Sequence, residues 1–291
     1  MSYLYYPGCS LKSTGRPYEE SMLAVCKALQ IPMEEVEDWN CCGATAYIAV
    51  DEDKAYALAA RNLALAERQK QNNGSTPTNL VAPCNACYLV LMKAQHYITE
   101  NGHRIREALK QGRLEYHGKV QVRHPLDVFV NDIGLEKIKA QVKEPLSDLR
   151  VACYYGCQIV RPYATFDDQY NPTAMDRLME TLGAESIAWP LKTRCCGGSL
   201  TGTIEEVGLR LSYFILKEAQ KRGANVVATA CPLCQLNLEC YQDRMNRLFQ
   251  DDLRMPVVYF TQLIGKAFGI SDREIGLHRL FVPLQPETAL V

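Results

Sequence analysis

Short apolar runs alternate with longer amphipathic ones along the whole chain. Residues 2–6 are β-prone and stop at the turn Pro7-Gly8, which leaves Cys9 just past a strand end. From Pro17 to Leu29 the residues Met22, Val25, Cys26 and Leu29 recur at helical spacing, so Cys26 reads as a buried apolar residue. Residues 37–45 read as a loop around Cys41 and Cys42, where Gly43 allows close backbone approach. Asp51 stands at the cap of an Ala- and Leu-rich helix from Glu52 to Gln71, which residues 72–77 break. Residues 79–83 are a buried strand, and Cys84 and Cys87 open the next helix with Tyr88, Leu91 and Met92 on one face. A charged helical insertion covers 98–118, a strand and helix cover 120–133, and a charged passage running to Asp148 ends in a linker.

The order then repeats. Residues 149–156 are a strand, 190–202 a loop around Cys195 and Cys196, and a helix runs from Thr203 or Glu205 to about Arg222. Residues 224–231 are a buried strand, Cys231 and Cys234 open the following helix, and 255–270 give strand plus helix. Residues 278–291 read as an extended, partly apolar tail that can dock on the body or on a partner. The pattern predicts an α/β protein of two pseudo-symmetric duplicated domains, 1–148 and 149–291, with mainly parallel sheets. An approximate twofold axis is expected, with the cysteine loops near the shared face.

Composition narrows the class. The chain has 291 residues, 47% hydrophobic, with net charge -1 and no basic stripe, so nucleic acid is not an expected partner. Neither a signal peptide nor a transmembrane stretch is visible, and a cytoplasmic location is expected. The 13 cysteines carry the chemistry. A disulfide scaffold suits short secreted chains, not this one, and adjacent cysteines bridge poorly. Five cysteines of each half recur at a nearly constant offset of about 147–154 residues, which marks a duplication.

Thiols at strand ends and helix N-termini suit metal thiolates. Zinc closes its shell with four ligands, and a four-iron cubane also takes four. Five per half leaves three readings: a four-thiolate site with a spare thiol, a multinuclear zinc site, or a larger or non-cubane iron–sulfur cluster.

The frame Gly-Cys, Cys-Cys-Gly, Cys-x-x-Cys resembles the cysteine-rich CCG domain. Two copies span nearly the whole chain, with Tyr-Tyr-Pro-Gly-Cys-Ser at 5–10 and Cys-Tyr-Tyr-Gly-Cys-Gln at 153–158. Together they resemble the B-type subunit family of heterodisulfide reductases from methanogens. The resemblance implies two non-cubane 4Fe-4S clusters. The first would be held by Cys9, Cys41, Cys42, Cys84 and Cys87, the second by Cys157, Cys195, Cys196, Cys231 and Cys234, with Cys153 as an alternate to Cys157. It implies reduction of the coenzyme M–coenzyme B disulfide in methanogenesis, one electron from each cluster. It also implies partners: a ferredoxin-like C-type subunit with cubane clusters, a flavin-containing A-type subunit, and a hydrogenase or formate dehydrogenase module beyond. The anionic substrate needs cations, and Arg161, Arg194, Lys12, Arg16 and Lys192 lie near the cysteine loops, with His124 a candidate proton donor. Two other readings stand beside this one: a CCG-type subunit passing electrons from a dehydrogenase to quinone, and a zinc-stapled interaction module.

Overall fold

The computed structural model describes residues 3–44, 46–71 and 78–284. Each half builds a four-stranded, wholly parallel sheet. The first contains β1 (Tyr3–Tyr5), β2 (Met33–Glu35), β3 (Thr78–Val81) and β4 (Val120–Arg123), in the order β2-β1-β3-β4. The second contains β5 (Arg150–Tyr154), β6 (Glu185–Ser186), β7 (Val226–Thr229) and β8 (Val257–Tyr259), in the matching order β6-β5-β7-β8. In each sheet the chain steps outward in opposite directions from the central pair. The carboxyl ends of that pair therefore flank a crevice, the usual ligand position in open α/β sheets.

The duplicated α/β fold is as the sequence predicts, and most elements fall where its pattern puts them. The helix Glu52–Gln71 has the expected ends, and the Asp51 carboxylate accepts the Lys54 N–H at 3.1 Å as its cap. The second long helix runs Glu205–Lys221. The edge strands β2 and β6 have no signal in the sequence pattern. They are two or three residues long and partly exposed, so they carry no apolar run. The helix Ala174–Thr181 and the short helix Ala46–Val50 are likewise additions to the expected elements. The expected insertion helix is His103–Gln111, preceded by Gly102. The helix opened by Cys231 stops at Glu239, and a separate one runs Gln242–Phe249. The expected break at 72–77 and the end of the tail, 285–291, lie outside the described residues.

Period-two alternation divides the strand side chains between two cores. Leu4, Leu80, Ala152, Tyr154 and Val227 enter one, with the helices Glu52–Gln71 and Glu205–Lys221. Tyr5, Val151, Val226, Ala228 and Val258 enter the other. That second core is shared. The helices Arg16–Ala28 and Phe260–Ala267, one from each half, pack together in it. Tyr18 stacks on Tyr259 with ring centroids 4.5 Å apart, a pair worth about 0.5–1.5 kcal/mol beyond its area. The packing is reciprocal near the cysteine loops: Asn85 donates to the Tyr155 carbonyl at 2.8 Å, and Gly15 lies against Pro232.

Candidate metal centre

The sulfurs arrive from three kinds of backbone. Cys9 and Cys157 follow the ends of β1 and β5, after Gly8 and Gly156. A Cβ on Gly8 would meet the Cys87 sulfur at 3.1 Å, and one on Gly156 the Cys234 sulfur at 3.2 Å. Glycine is therefore what lets this turn close over the thiol. Cys41–Cys42 and Cys195–Cys196 sit on loops ended by Gly43 (φ +79) and Gly197 (φ +101), a left-handed backbone that glycine adopts freely. Cys84 and Cys231 occupy the cap positions of the helices Asn85–Asn101 and Pro232–Glu239, and Cys87 and Cys234 lie in their first turns. The positive helix ends favour thiolates there.

Most of the sulfurs form a run of close contacts from Cys9 to Cys196, and Cys157 pairs with Cys195 beside it. Cys42 and Cys87 are 3.2 Å apart, and Cys196 and Cys234 are 3.5 Å apart. Cys9 contacts Cys41, Cys41 contacts Cys42, and Cys87 contacts Cys84. Cys157 contacts Cys195, and Cys231 contacts Cys234. Cys84 also contacts Cys231, so the two sets meet. Cys9, Cys41 and Cys195 are exposed, Cys157 is half-buried, and the other sulfurs of the two sets, Cys42, Cys84, Cys87, Cys196, Cys231 and Cys234, are buried.

Crowding splits the thiols' acidities. Cys41 is drawn down to about 2 by the hydrogen bonds from Cys42 and Cys9, and its partner Cys9 is driven up. Cys195 is drawn down to about 6 by Cys157, with the Gly197 N–H and the Arg161 charge adding. Cys84 falls through its contacts with Cys231 and Cys87, while Cys87 and Cys234 rise. Shared protons here do what a cation would do: they keep adjacent sulfurs from repelling.

No disulfide forms among the described cysteines. As they stand, no three His, Cys, Asp or Glu side chains among the described residues form a group for a single metal ion. The candidate donors are soft sulfur throughout, in two sets of five. Polar atoms without partners lie around it: the Tyr18 hydroxyl, which feels both Cys231 and Cys84, the Asn85 side-chain oxygen and the Arg161 Nε. Soft donors with unspent hydrogen-bonding capacity beside them fit an iron–sulfur group.

The other sequence candidates are placed as follows. Cys153 lies within β5, 3.8 Å from the Ser186 hydroxyl. Cys26 is in the shared core. Lys12 pairs with Glu19 and Glu35 at 2.6 and 2.7 Å, Arg16 with Glu20 at 3.0 Å, and buried Lys192 with Asp176 at 2.6 Å. Arg161 donates to the Thr193 carbonyl next to the second loop, and Arg194 is exposed. His124 is fully buried. Its Nδ1 accepts the Leu126 N–H at 3.1 Å, its Nε2 is 3.2 Å from the Pro83 carbonyl, and burial lowers it to about 4.

A cavity of about 310 Å³ opens on Cys157, Cys195, Cys196, Cys231 and Cys234. Ala44, Ile48, Leu89, Val90 and Leu233 give it apolar walls, and Lys93 is its cation. Sequence reasoning misses Lys93, which sits two turns beyond Cys87 on a helix face that only the fold brings to the second set.

The cysteine-rich CCG domain matches residues 3–92 and again 151–239, so the chain belongs to that family and carries its domain twice. Among relatives, the 8-methylmenaquinol:fumarate reductase membrane anchor subunit of Wolinella succinogenes is 32% identical, over 95% of each chain. The B-type subunit of the ferredoxin:CoB-CoM heterodisulfide reductase of Methanosarcina mazei is 28% identical, over 94% of this chain and 91% of that one. An Archaeoglobus profundus protein, named as similar to the heterodisulfide reductase B-type subunit, is 29% identical, over 94% and 93%. A hypothetical protein from Helicobacter pylori shares the fold, with a TM-score of 0.74 at 13% identity; the match covers 98% of this chain and 52% of that one. The three sequence relatives are named as subunits of redox enzymes or as similar to one. No helix of the described residues is long and apolar enough to cross a membrane.

Proposed function

We propose that the chain is the iron–sulfur subunit of a multisubunit oxidoreductase and that its reaction is two-electron reduction of a mixed disulfide. Cys9, Cys41, Cys42, Cys84 and Cys87 would hold one 4Fe-4S cluster, and Cys157, Cys195, Cys196, Cys231 and Cys234 the other. The observation that carries the reading is the hydrogen bonding of Cys84 with Cys231, which joins the two sets through buried members. Reducing a disulfide takes two electrons and two protons and leaves two thiols. The clusters, when bound, would supply the electrons one each.

The chain's own residues would do the rest. The apolar cavity walls would seat the substrate against the second set. Lys93 in the cavity, with Arg161 and Arg194 near that set's cysteines in sequence, would receive its anionic groups. The names of the methanogen relatives support coenzyme B–coenzyme M disulfide as that substrate. Their designation as B subunits supports electron delivery by further subunits; a ferredoxin-like C-type one and a flavin-bearing A-type one are what the resemblance implies.

A second reading, electron exchange with a quinol, has its own support. The Wolinella relative is named for a menaquinol, the cavity walls are apolar, and carboxylates already neutralise Lys12, Arg16 and Lys192. The test is anaerobic purification, metal and sulfide analysis, then viologen- and quinol-linked assays. About eight irons per chain and disulfide-dependent viologen oxidation are expected. Iron-loaded protein that turns over a quinone and ignores disulfides selects the second reading. Zinc without iron overturns both.

A further inference from the structure

The two cysteine sets are copies, but one buried position beside them differs. Three residues past the last cysteine of each set stands Val90 in the first half and Asn237 in the second. Asn237 is fully buried. The Thr201 hydroxyl donates to its side-chain oxygen at 2.8 Å, which fixes the amide's orientation. Its nitrogen then donates to the Gly198 carbonyl at 2.8 Å and points at the Cys196 sulfur at 3.4 Å. The backbone donors to the sulfurs are matched: Gly43 and Ala44 in the first set, Gly197 and Gly198 in the second. The amide is therefore an addition to a common frame.

Reducing an iron–sulfur group adds negative charge that spreads onto its thiolate sulfurs. An N–H aimed at one of those sulfurs stabilises the reduced state more than the oxidised one and so raises the potential. We propose that Asn237 is a positioning residue that raises the reduction potential of the cluster held by the second set, a device without a counterpart at Val90. This rests on the reading that the cysteine sets hold clusters. It would place the more easily filled site beside the cavity, which opens on the second set.

The test is a redox titration of the holoprotein followed by EPR and visible absorbance, with iron content measured in parallel. In Asn237→Leu, iron content should hold. One midpoint should fall by roughly 59 mV, a tenfold loss in a one-electron equilibrium constant, while the other stays. Thr201→Val keeps the amide but frees its orientation, and should shift the same midpoint by less. Asn237→Gln keeps a donor and should restore most of the potential. Unchanged midpoints in fully loaded Asn237→Leu, or equal falls in both, overturn the proposal. If that variant does not fold, an unshifted Thr201→Val overturns it instead. Absence of iron from the wild type is a different outcome, and overturns the reading of the site itself.

Discussion

The two halves keep the same frame and surround it differently. Strand order, glycine turns, doubled cysteines and helix caps correspond one to one. The flanking side chains do not. At matched distances from the cysteines, Ser13, Val90 and Met92 in the first half face Arg161, Asn237 and Glu239 in the second. The frame is set by backbone, and a duplication copies it intact because any change would move a sulfur. Neighbouring side chains can change one at a time, so the copies diverge in polarity while keeping their cysteines.

Removing the shared junction should break the comparison most severely. Cys84→Ser and Cys231→Ser should each lose about half the iron, with turnover down by about 100-fold or more. Metal analysis and the viologen assay would show if only one set matters. Next is the core between the halves. Tyr18→Ala and Tyr259→Ala should each cost about 3–5 kcal/mol, non-additively because the rings touch. Chemical denaturation should show a single transition in both; two transitions would mean the halves unfold independently.

Glu239 sharpens the contrast with Met92. Its carboxylate accepts the Phe281 and Val282 N–H groups at 3.0 and 3.3 Å, and burial lifts it to about 7. A carboxyl raised above its unfolded value stabilises the fold most below about pH 4.3, and that stability is lost as pH rises through about 7. Wild-type stability should thus fall across this window by on the order of 3 kcal/mol, and Glu239→Gln should flatten the profile in a pH series of denaturant melts. The smallest effects test the copied frame. Gly8→Ala and Gly156→Ala put a Cβ near a sulfur on a left-handed backbone, and should cost about 1–2 kcal/mol each, nearly equally, in the same melts.

The cysteine frame was legible because spacing repeated it and because each cysteine follows a strand, opens a helix or precedes a glycine turn. The central strands were legible from apolar runs. The edge strands were not, since β2 and β6 owe their conformation to pairing with β1 and β5 rather than to their own composition. The cations show a different limit. Lys12, Arg16 and Lys192 lie near the cysteines in sequence, but the fold gives each a carboxylate, while Lys93 reaches the second set from the other half. Asn237 looks like an ordinary polar helix residue until the copies are laid side by side.

The shared core also sets a timetable for synthesis. The helix Arg16–Ala28 is made roughly 230 residues before the helix it packs on, Phe260–Ala267. At about 5–20 residues per second, its apolar stripe waits roughly 12–50 s for cover. The first cysteine set waits too, because Cys84 meets Cys231 only when the second half arrives. The five thiols of the first set must therefore stay unbridged on the nascent chain until then. On the proposed reading, metal loading of the first set would follow synthesis of the second half.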